Sequence, residues 1–223
     1  MDVFTPEESA LFRGISRPET EALLRCLGAE RRTYGKGERV LRAGDTAEKL
    51  GLVLTGRVLI ERSDFWGNTA VLDSVGPGRI FAETYACTPG EPLMVDVTAG
   101  EASEILFLRA GQVLTPCARG CGAHTRLLQN LLAISVQKNL RLSRKIFHTA
   151  PKTIRGRLLT YLSDQAVRSG SRSFTIPFDR KQLADYLNVD RSALSAELGK
   201  LRREGILLAE RNRFTLLKDG MEL

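Results

Sequence analysis

The sequence predicts an α+β fold that combines an N-terminal antiparallel β roll and flanking helices with one long helix and a C-terminal winged helix-turn-helix. Three observations lead to this prediction. Residues 34–108 alternate short apolar stretches with glycine, residues 124–147 contain neither glycine nor proline, and residues 179–205 carry two short helical patterns joined by turn residues. We therefore expect a β-roll domain at 1–120, a long helix at 121–148 and a winged helix-turn-helix domain at 149–223.

The β roll is indicated by the regular spacing of its turns. Gly56, Gly67 and Gly78 are eleven residues apart, and apolar segments of strand length lie between them. Strands joined by turns at this spacing are typical of antiparallel sandwiches and rolls. Residues 6–27 have apolar side chains at helical spacing, so one or two short helices are expected to pack against the roll.

The long helix carries a coiled-coil pattern. Six positions are separated alternately by four and three residues, which is the a/d spacing of a dimer seam. They are Leu128, Leu132, Ser135, Asn139, Leu142 and Ile146. The pattern predicts a parallel homodimer, and a helix that packs only on its own domain is the alternative. The polar residues within the seam would fix its register or meet a ligand.

The charge is distributed unevenly along the chain. The net charge is +7, but residues 1–120 carry 14 basic and 17 acidic residues, whereas residues 121–223 carry 19 basic and 9 acidic residues. This division indicates a nucleic-acid-binding surface in the C-terminal half. No apolar run approaches the roughly 20 residues of a membrane span, and residues 1–10 lack a signal pattern, so we expect a cytoplasmic protein with no membrane contact and reduced thiols.

The C-terminal part contains the pattern of a helix-turn-helix. Asp179 is expected to cap a first helix, Asn188 to adopt the left-handed turn, and Asp190 to cap a second helix that ends near Gly205. Before it, Thr149 with Pro151 two residues later predicts the cap of another helix. A hairpin around residues 210–212 would form the wing.

The expected DNA contacts follow from the geometry of this motif. The N-terminal residues of the second helix enter the major groove, so Arg191, Ser192 and Ser195 are expected at base edges, with Arg191 able to bind guanine through two hydrogen bonds. Other basic residues are expected at phosphates, and a solvated helix charge is the alternative for each. They are Arg180, Lys200, Arg202, Arg203 and, in the wing, Arg211.

With these motifs in place, the chain resembles the cyclic-AMP receptor and fumarate-nitrate-reduction regulator superfamily (CRP/FNR) along nearly its whole length. The likeness is strongest in residues 183–187 (Leu-Ala-Asp-Tyr-Leu) and 190–195 (Asp-Arg-Ser-Ala-Leu-Ser). The resemblance implies a cyclic-nucleotide-binding-like roll of the double-stranded β-helix type, a homodimer on palindromic double-stranded DNA, and a small-molecule pocket between the roll and the long helix. It also implies a transcription regulator rather than an enzyme, with RNA polymerase as a further partner in activation.

The sensor region departs from the cyclic-nucleotide pattern of that family. Residues 81–83 (Phe-Ala-Glu) resemble the first part of its phosphate cassette, but Leu93 stands where the phosphate-binding arginine is expected. A buried phosphodiester needs a cation or several donors, so cyclic AMP is not the expected effector. An apolar or aromatic effector of unknown identity is expected, and plain core residues are the alternative. The residues expected to bind it are Glu83, Thr84, Tyr85, Leu93, Met94, Ser135 and Asn139.

Two other hypotheses compete with this one. Cys117 and Cys121, with His124 three residues later, could supply a thiol, metal or haem redox sensor, although buried inert cysteines are the more ordinary explanation. A cupin-type β-roll enzyme would need clustered histidines, and the two histidines of the chain, His124 and His148, both lie outside the predicted roll. We therefore expect no catalytic residues, no bound metal and no cofactor apart from the effector.

Overall fold

A computed structural model of the chain describes residues 5–63, 66, 69–115 and 121–217. The chain forms two compact units, residues 1–137 and 138–223, and each is described by itself. The division falls inside one continuous helix, so the three expected domain boundaries stay predictions.

The first unit is built from two four-stranded antiparallel sheets with short helices around them. Its helices are α1 (Arg17–Cys26), α2 (Glu83–Ala86) and α3 (Ala110–Leu114), with 3-10 turns at Pro6–Glu8 and Ala10–Phe12. Its strands are β1 (Glu30–Tyr34), β2 (Arg39–Leu41), β3 (Lys49–Thr55), β4 (Val58–Ser63), β5 (Thr69–Val75), β6 (Ile80–Phe81), β7 (Asp96–Ala99) and β8 (Ser103–Arg109). The sheet orders are β1-β8-β3-β6 and β2-β7-β4-β5, which confirms the predicted antiparallel roll.

Strand β3 shows how the sequence builds two apolar layers. Side chains alternate across a strand, so Leu50 and Leu52 belong to the core formed with the flanking helices, while Val53 belongs to the core that includes Phe81 and Phe107. Gly51 lies between these leucines, and a Cβ built on it would come within 2.3 Å of the Phe81 ring. The glycine is therefore needed for the close approach of that ring.

Helix α4 (Gly122–Thr149) confirms the predicted long helix, and the second unit begins within it. Its first turns belong to the first unit: Leu127 and Leu131 are buried in that core, and the side-chain amide of Asn130 donates hydrogen bonds to the backbone oxygens of Leu11 and Arg13, both at 2.9 Å. One face of α4 thus packs on its own domain.

The second unit is a compact winged helix domain. Its elements after α4 are α5 (Ile154–Ser169), β9 (Ser173–Thr175), α6 (Arg180–Leu187), α7 (Arg191–Arg203), β10 (Leu207–Glu210) and β11 (Arg213–Leu216). The strands form an antiparallel sheet of order β10-β11-β9. The buried faces of α5, α6 and α7 share one apolar core with Phe174 and Phe214 of this sheet.

The predicted cap at Thr149 is wrong. The Thr149 hydroxyl donates to the backbone oxygen of Lys145 at 2.7 Å, so this residue continues α4. Thr153 caps α5 instead, because its hydroxyl accepts a hydrogen bond from the backbone N–H of Gly156 at 3.0 Å. Pro151 therefore lies between two helices and not in the first turn of one. Among the helices that the structure describes, none has both the length and the apolar character needed to cross a bilayer.

Candidate nucleic-acid interface and effector region

The first helix of the helix-turn-helix, α6, is fixed at both ends as the sequence predicted. Asp179 caps it: its carboxylate accepts from the backbone N–H of Gln182 at 2.8 Å, and the Gln182 side chain accepts from the Asp179 N–H at 2.9 Å. At the other end Asn188 adopts a left-handed conformation, with φ of 52°, which this residue type tolerates better than most. The turn that aims the second helix is therefore specified locally.

The second helix, α7, begins at a strong cap. The Asp190 carboxylate accepts hydrogen bonds from the backbone N–H groups of Ser192 and Ala193, at 2.8 and 2.9 Å, and also from the Ser192 hydroxyl. The side-chain hydrogen bond from Ser192 is the main reason that the pKa of Asp190 lies below its usual value. The carboxylate stays ionised at the helix N-terminus, where negative charge is favourable.

Helix α7 separates an apolar face from a polar one. Leu194, Leu198 and Leu201 are buried in the domain core. The residues predicted at base edges, Arg191, Ser192 and Ser195, are all exposed at the N-terminal end of the same helix. The structure thus brings these three predicted residues together on one accessible surface.

The residues predicted to bind phosphates differ in their exposure and in their partners. Lys200 is exposed and pairs with Glu197, 3.6 Å away on the same helix. Arg180 is half-buried, and its guanidinium carbon lies 5.3 Å from the centre of the Phe214 ring; burial lowers the pKa of Arg180 from its ordinary value. Arg211 is exposed in the turn between β10 and β11, with φ of 52°. Their phosphate contacts stay predictions.

The predicted effector residues of the roll lie in two neighbouring segments. Glu83, Thr84 and Tyr85 form α2, and the backbone N–H of Met94 donates to the Tyr85 hydroxyl at 3.4 Å. Leu93 is only 3% exposed, and its backbone exchanges hydrogen bonds with Gly44 and Asp45, whereas Met94 is 71% exposed.

Ala82, the residue just before α2, adopts the left-handed region, at φ of 58°. Glycine occupies such a conformation without steric cost, but alanine does not. Ala82 stands where the phosphate cassette of the family's pattern has glycine, and its backbone adopts a conformation that favours glycine.

The predicted effector residues of the long helix are Ser135, which is half-buried, and Asn139, which is exposed. They lie on either side of the division between the two units. The effector role of these two residues and of the five in the roll stays a prediction.

The first unit also has a cavity that the sequence did not indicate. It has a volume of about 270 Å³ and is lined by residues of β1, β2, β8 and the start of β3. Its lining is Arg32, Tyr34, Val40, Leu41, Thr46, Ala47, Glu48, Lys49 and Phe107. Both of its cations are paired with Glu30, at 3.0 Å from Arg32 and 2.7 Å from Lys49, so the cavity carries little net positive charge.

The predicted dimer seam faces outward from α4. Its four apolar members, Leu128, Leu132, Leu142 and Ile146, are exposed in the single chain, with Leu132 63% exposed. Three further apolar residues of this helix are also exposed, and they fall outside the predicted a/d spacing. We name the whole set the apolar stripe: Leu128, Leu132, Val136, Leu140, Leu142, Ile146 and Phe147.

The thiol and metal alternative rests on Cys117, Cys121 and His124. Cys117 lies outside the described residues, and Cys121 is a half-buried free thiol beside the core of the first unit. His124 is buried, and its Nε2 lies 2.9 Å from the backbone oxygen of Val113. Within the described ranges no three histidine, cysteine, aspartate or glutamate side chains are grouped as metal ligands.

Two family models match the chain in sequence. The cyclic nucleotide-binding domain model matches residues 31–119, and the Crp-like helix-turn-helix domain model matches residues 156–221. The first match covers both sheets of the roll, and the second covers most of α5, the two helices of the helix-turn-helix, and the wing.

Curated relatives and solved structures agree with these models. The Cyclic AMP receptor protein of Thermus thermophilus is 32% identical over 100 residues, and that match covers 45% of each chain, so it spans less than half the length of this relative. The transcriptional activator protein FnrL of Cereibacter sphaeroides is 22% identical over 202 residues, covering 86% of this chain and 78% of FnrL.

The crystal structure of the Thermus thermophilus Catabolite Activator Protein is 25% identical, covers 93% of both chains and has a TM-score of 0.52. OCPA-complexed CprK, at 17% identity and a TM-score of 0.60 with 89% of this chain and 91% of CprK covered, shares the fold. The roll, the long helix and the winged helix-turn-helix, together with both family models, show that the chain belongs to the CRP/FNR superfamily of transcription regulators.

Proposed function

We propose that this chain is a sequence-specific DNA-binding transcription regulator that reads DNA with the N-terminal half of α7. The observation that carries the proposal is the exposed surface formed there by Arg191, Ser192 and Ser195, while Leu194 and Leu198 anchor the helix in its domain. In a helix-turn-helix, this end of the second helix contacts base edges in the major groove. The surface has the right residue types for that task.

The proposed DNA contacts are of two kinds: base contacts that recognise the sequence, and phosphate contacts that add affinity. Arg191 is the residue best suited to bind a guanine, because its guanidinium can donate two hydrogen bonds to the O6 and N7 atoms of that base. Lys200, Arg202 and Arg203 are exposed along the rest of α7 and would bind phosphates, which adds affinity that depends on salt but not on sequence.

The functional molecule is proposed to be a homodimer. The apolar stripe of α4 is exposed in the single chain, and a second copy would bury it in a parallel coiled coil. Two recognition helices about 34 Å apart then fit successive major grooves, so the operator would be a palindrome. In activation, RNA polymerase would be a further partner.

The effector is proposed to be a small molecule other than cyclic AMP. The position that resembles the arginine of the phosphate cassette is held by Leu93, which is buried and supplies no charge. A buried phosphodiester without a cation there would lose its solvation without compensation. An apolar or aromatic compound suits Leu93, Met94 and Tyr85 better, and Glu83 could orient it.

The DNA proposal is tested by selection from random duplex DNA, with and without candidate effectors, followed by fluorescence anisotropy on the recovered sequences. We expect a palindromic motif. Arg191→Ala should weaken binding by about 1–3 kcal/mol per recognised base pair and remove the preference at that pair. The control Arg202→Ala, on the same helix, should weaken binding to all sequences and reduce its salt dependence. Recovery of no motif would contradict the proposal.

The effector proposal is tested by thermal shift of the full chain. Cyclic AMP at millimolar concentration should leave the melting temperature unchanged, whereas binding at 100 times Kd would stabilise the protein by about 2.7 kcal/mol. A panel of aromatic carboxylic acids and neutral aromatic compounds is the positive arm, with Tyr85→Phe and Glu83→Gln as variants. Stabilisation by cyclic AMP would show that Leu93 does not exclude a cyclic nucleotide.

A further inference from the structure

The last turn of α4 places a histidine in an aromatic cluster of the DNA-binding domain. His148 is 1% exposed, and its ring centre lies 5.2 Å from that of Tyr161 on α5 and 5.8 Å from that of Tyr186 on α6. The ring centre of Phe178, just before α6, lies 5.0 Å from that of Tyr186. A polar ring with this little exposure is held by its contacts on every side.

The two nitrogens of this imidazole face different helices. Nδ1 is hydrogen-bonded to the hydroxyl of Tyr186 at 2.9 Å, and Nε2 lies 3.4 Å from a carboxylate oxygen of Asp164 on α5. Within the described part of the chain, Nε2 has no partner with good hydrogen-bond geometry. The close hydrogen bond to α6 is therefore the main polar attachment of His148, and the approach to Asp164 is the weaker one.

Tyr186 connects His148 to the recognition helix through close packing. It lies on α6 beside Leu187, and the buried face of α6 shares one core with Leu194 and Leu198 of α7. Protein cores are packed densely, so a shift of one helix moves the helix that packs on it. A change at the hydroxyl of Tyr186 can thus reach the surface that is proposed to read DNA.

We propose that His148 is a positioning residue for DNA recognition: through its hydrogen bond to Tyr186 it holds the helix-turn-helix in one orientation relative to the end of α4, and protonation of His148 releases that hold. This inference rests on the proposed function. The effect is expected on an operator with two half-sites, because both DNA-binding domains of a dimer must then fit the DNA at once. A single half-site can be bound by one recognition helix in any orientation of its domain. We name His148, Tyr186 and Asp164 the His148 joint.

The effect of protonation follows from the groups around the ring. A neutral imidazole can accept the Tyr186 hydroxyl hydrogen at Nδ1, whereas an imidazolium donates at both nitrogens, so the hydroxyl must turn to accept instead and a charge is buried among the aromatic rings, which weakens this contact. Burial lowers the pKa of His148; Asp164 opposes this, and Arg168 on α5 and Arg144 on α4 add to it.

Tyr186, the partner of His148 on α6, stays a neutral hydrogen-bond donor from neutral to mildly acidic pH. Burial is the main cause that raises the pKa of Tyr186 above its usual value. Of the two members of the hydrogen bond, only His148 therefore changes charge on mild acidification. We therefore expect the His148–Tyr186 hydrogen bond to hold the two helices together at neutral pH and to be weakened in acid.

The first test compares two duplexes: the two-half-site operator recovered by selection, and the same duplex with one half-site scrambled. Tyr186→Phe removes the hydroxyl but keeps the ring. We expect the ratio of the two affinities to fall roughly three- to tenfold, the size of one lost hydrogen bond, with the affinity for the single half-site unchanged. Tyr161→Phe is the matched control, because it removes a hydroxyl from the same cluster that is not bonded to His148, and its ratio should equal that of the wild type.

The second test is the pH profile of the same ratio between pH 7.5 and 5.5. The wild-type ratio should fall with acid towards the ratio of Tyr186→Phe, because protonation of His148 weakens the same contact that this variant removes. His148→Phe should make the profile flat, and His148→Gln serves the same purpose if the phenylalanine variant is unstable by thermal melting. His124→Phe, the replacement of the other histidine in the chain, should keep the wild-type profile.

The outcomes separate this inference from the proposed function. A wild type that binds its selected operator with a ratio insensitive to pH and to Tyr186→Phe would overturn the joint and leave DNA recognition standing. A drop in single-half-site affinity that equals the drop on the operator would show a merely structural role for His148 and also overturn the inference. A wild type that selects no DNA would overturn both.

Discussion

Arg157 on α5 donates hydrogen bonds from Nη1 to the backbone oxygens of Leu187 and Asn188, at 3.1 and 2.9 Å, and so joins α5 to the turn of the helix-turn-helix. Its Nε donates to the backbone oxygen of Pro151 at 2.9 Å. The last carbonyls of a helix have no partner within the helix, and a cation near them is favourable. One guanidinium therefore stabilises both the linker before α5 and the C-terminal end of α6.

Replacement of Arg157 by methionine should destabilise the protein by about 1.5–3 kcal/mol, because the apolar stem is kept while hydrogen bonds from a charged donor are lost. Urea denaturation measures this change. The control is Arg155→Met, which breaks ion pairs with Glu204 at 2.7 Å and with Glu197 at 3.8 Å and should cost no more than about 1 kcal/mol. Equal losses in the two variants would show that the turn does not depend on Arg157.

A charge within the apolar stripe should abolish the dimer. Leu132→Glu places a carboxylate in a seam that we expect to be buried between two copies, and burial of an unpaired charge is strongly unfavourable. Size-exclusion chromatography with light scattering should give a dimer for the wild type and a monomer for the variant. Gln137→Glu is the control, because it adds a carboxylate at an exposed position of the same helix about 140° away from Leu132. A dimeric Leu132→Glu protein would place the dimer interface elsewhere.

Ala82→Gly should stabilise the β roll. Ala82 has φ of 58°, a region that costs a non-glycine residue about 1–2 kcal/mol, and glycine offsets part of that gain by its greater freedom in the unfolded chain. We expect a net gain of roughly 0.5–1 kcal/mol in chemical denaturation. The same exchange at Ala133, in the exposed part of α4, should instead lose roughly 0.5–1 kcal/mol. Loss of stability at Ala82 would mean that its methyl group contributes more than the strain costs.

His148 should make the stability of the protein depend on pH. Burial holds its folded-state pKa below the ordinary value of 6.5, so the unfolded chain binds more protons than the folded chain between these two values. The contribution of neutral His148 to the free energy of unfolding is fully present above about pH 6.5. It falls as the pH drops towards the folded-state pKa, with a slope of at most about 1.4 kcal/mol per pH unit. Unfolding free energies measured at pH 7.5 and 5.5 for the wild type and His148→Gln test this, and an identical difference in both proteins would contradict it.

The regular features of the fold could be predicted because they depend on neighbours in sequence. Turn glycines at a fixed spacing predicted the roll, and the caps at Asp179 and Asp190 were confirmed because capping is a local hydrogen bond. Helical periodicity also placed Arg191 and Ser195 on the exposed face of α7. The predicted cap at Thr149 was wrong for a local reason as well, because the Thr149 hydroxyl donates a hydrogen bond to the preceding turn of α4.

The parts that the sequence did not predict depend on distant residues. His148 meets Tyr186 across 38 positions, and Arg180 lies over the ring of Phe214 across 34, and neither pair has a pattern at short range. Four of the seven residues of the apolar stripe were predicted, and Val136, Leu140 and Phe147 were not, because they do not follow the a/d spacing. Tertiary packing thus decides which polar residues remain available to DNA.

The contact between Gly51 and the ring of Phe81 also restricts how this sequence can evolve. A methyl group at position 51 would overlap the ring, which itself is fully enclosed by the roll. A side chain at position 51 therefore requires a smaller residue or a displaced ring at position 81, one residue before the strained Ala82. The two positions are therefore coupled by sterics, and we expect them to change together among descendants of this sequence.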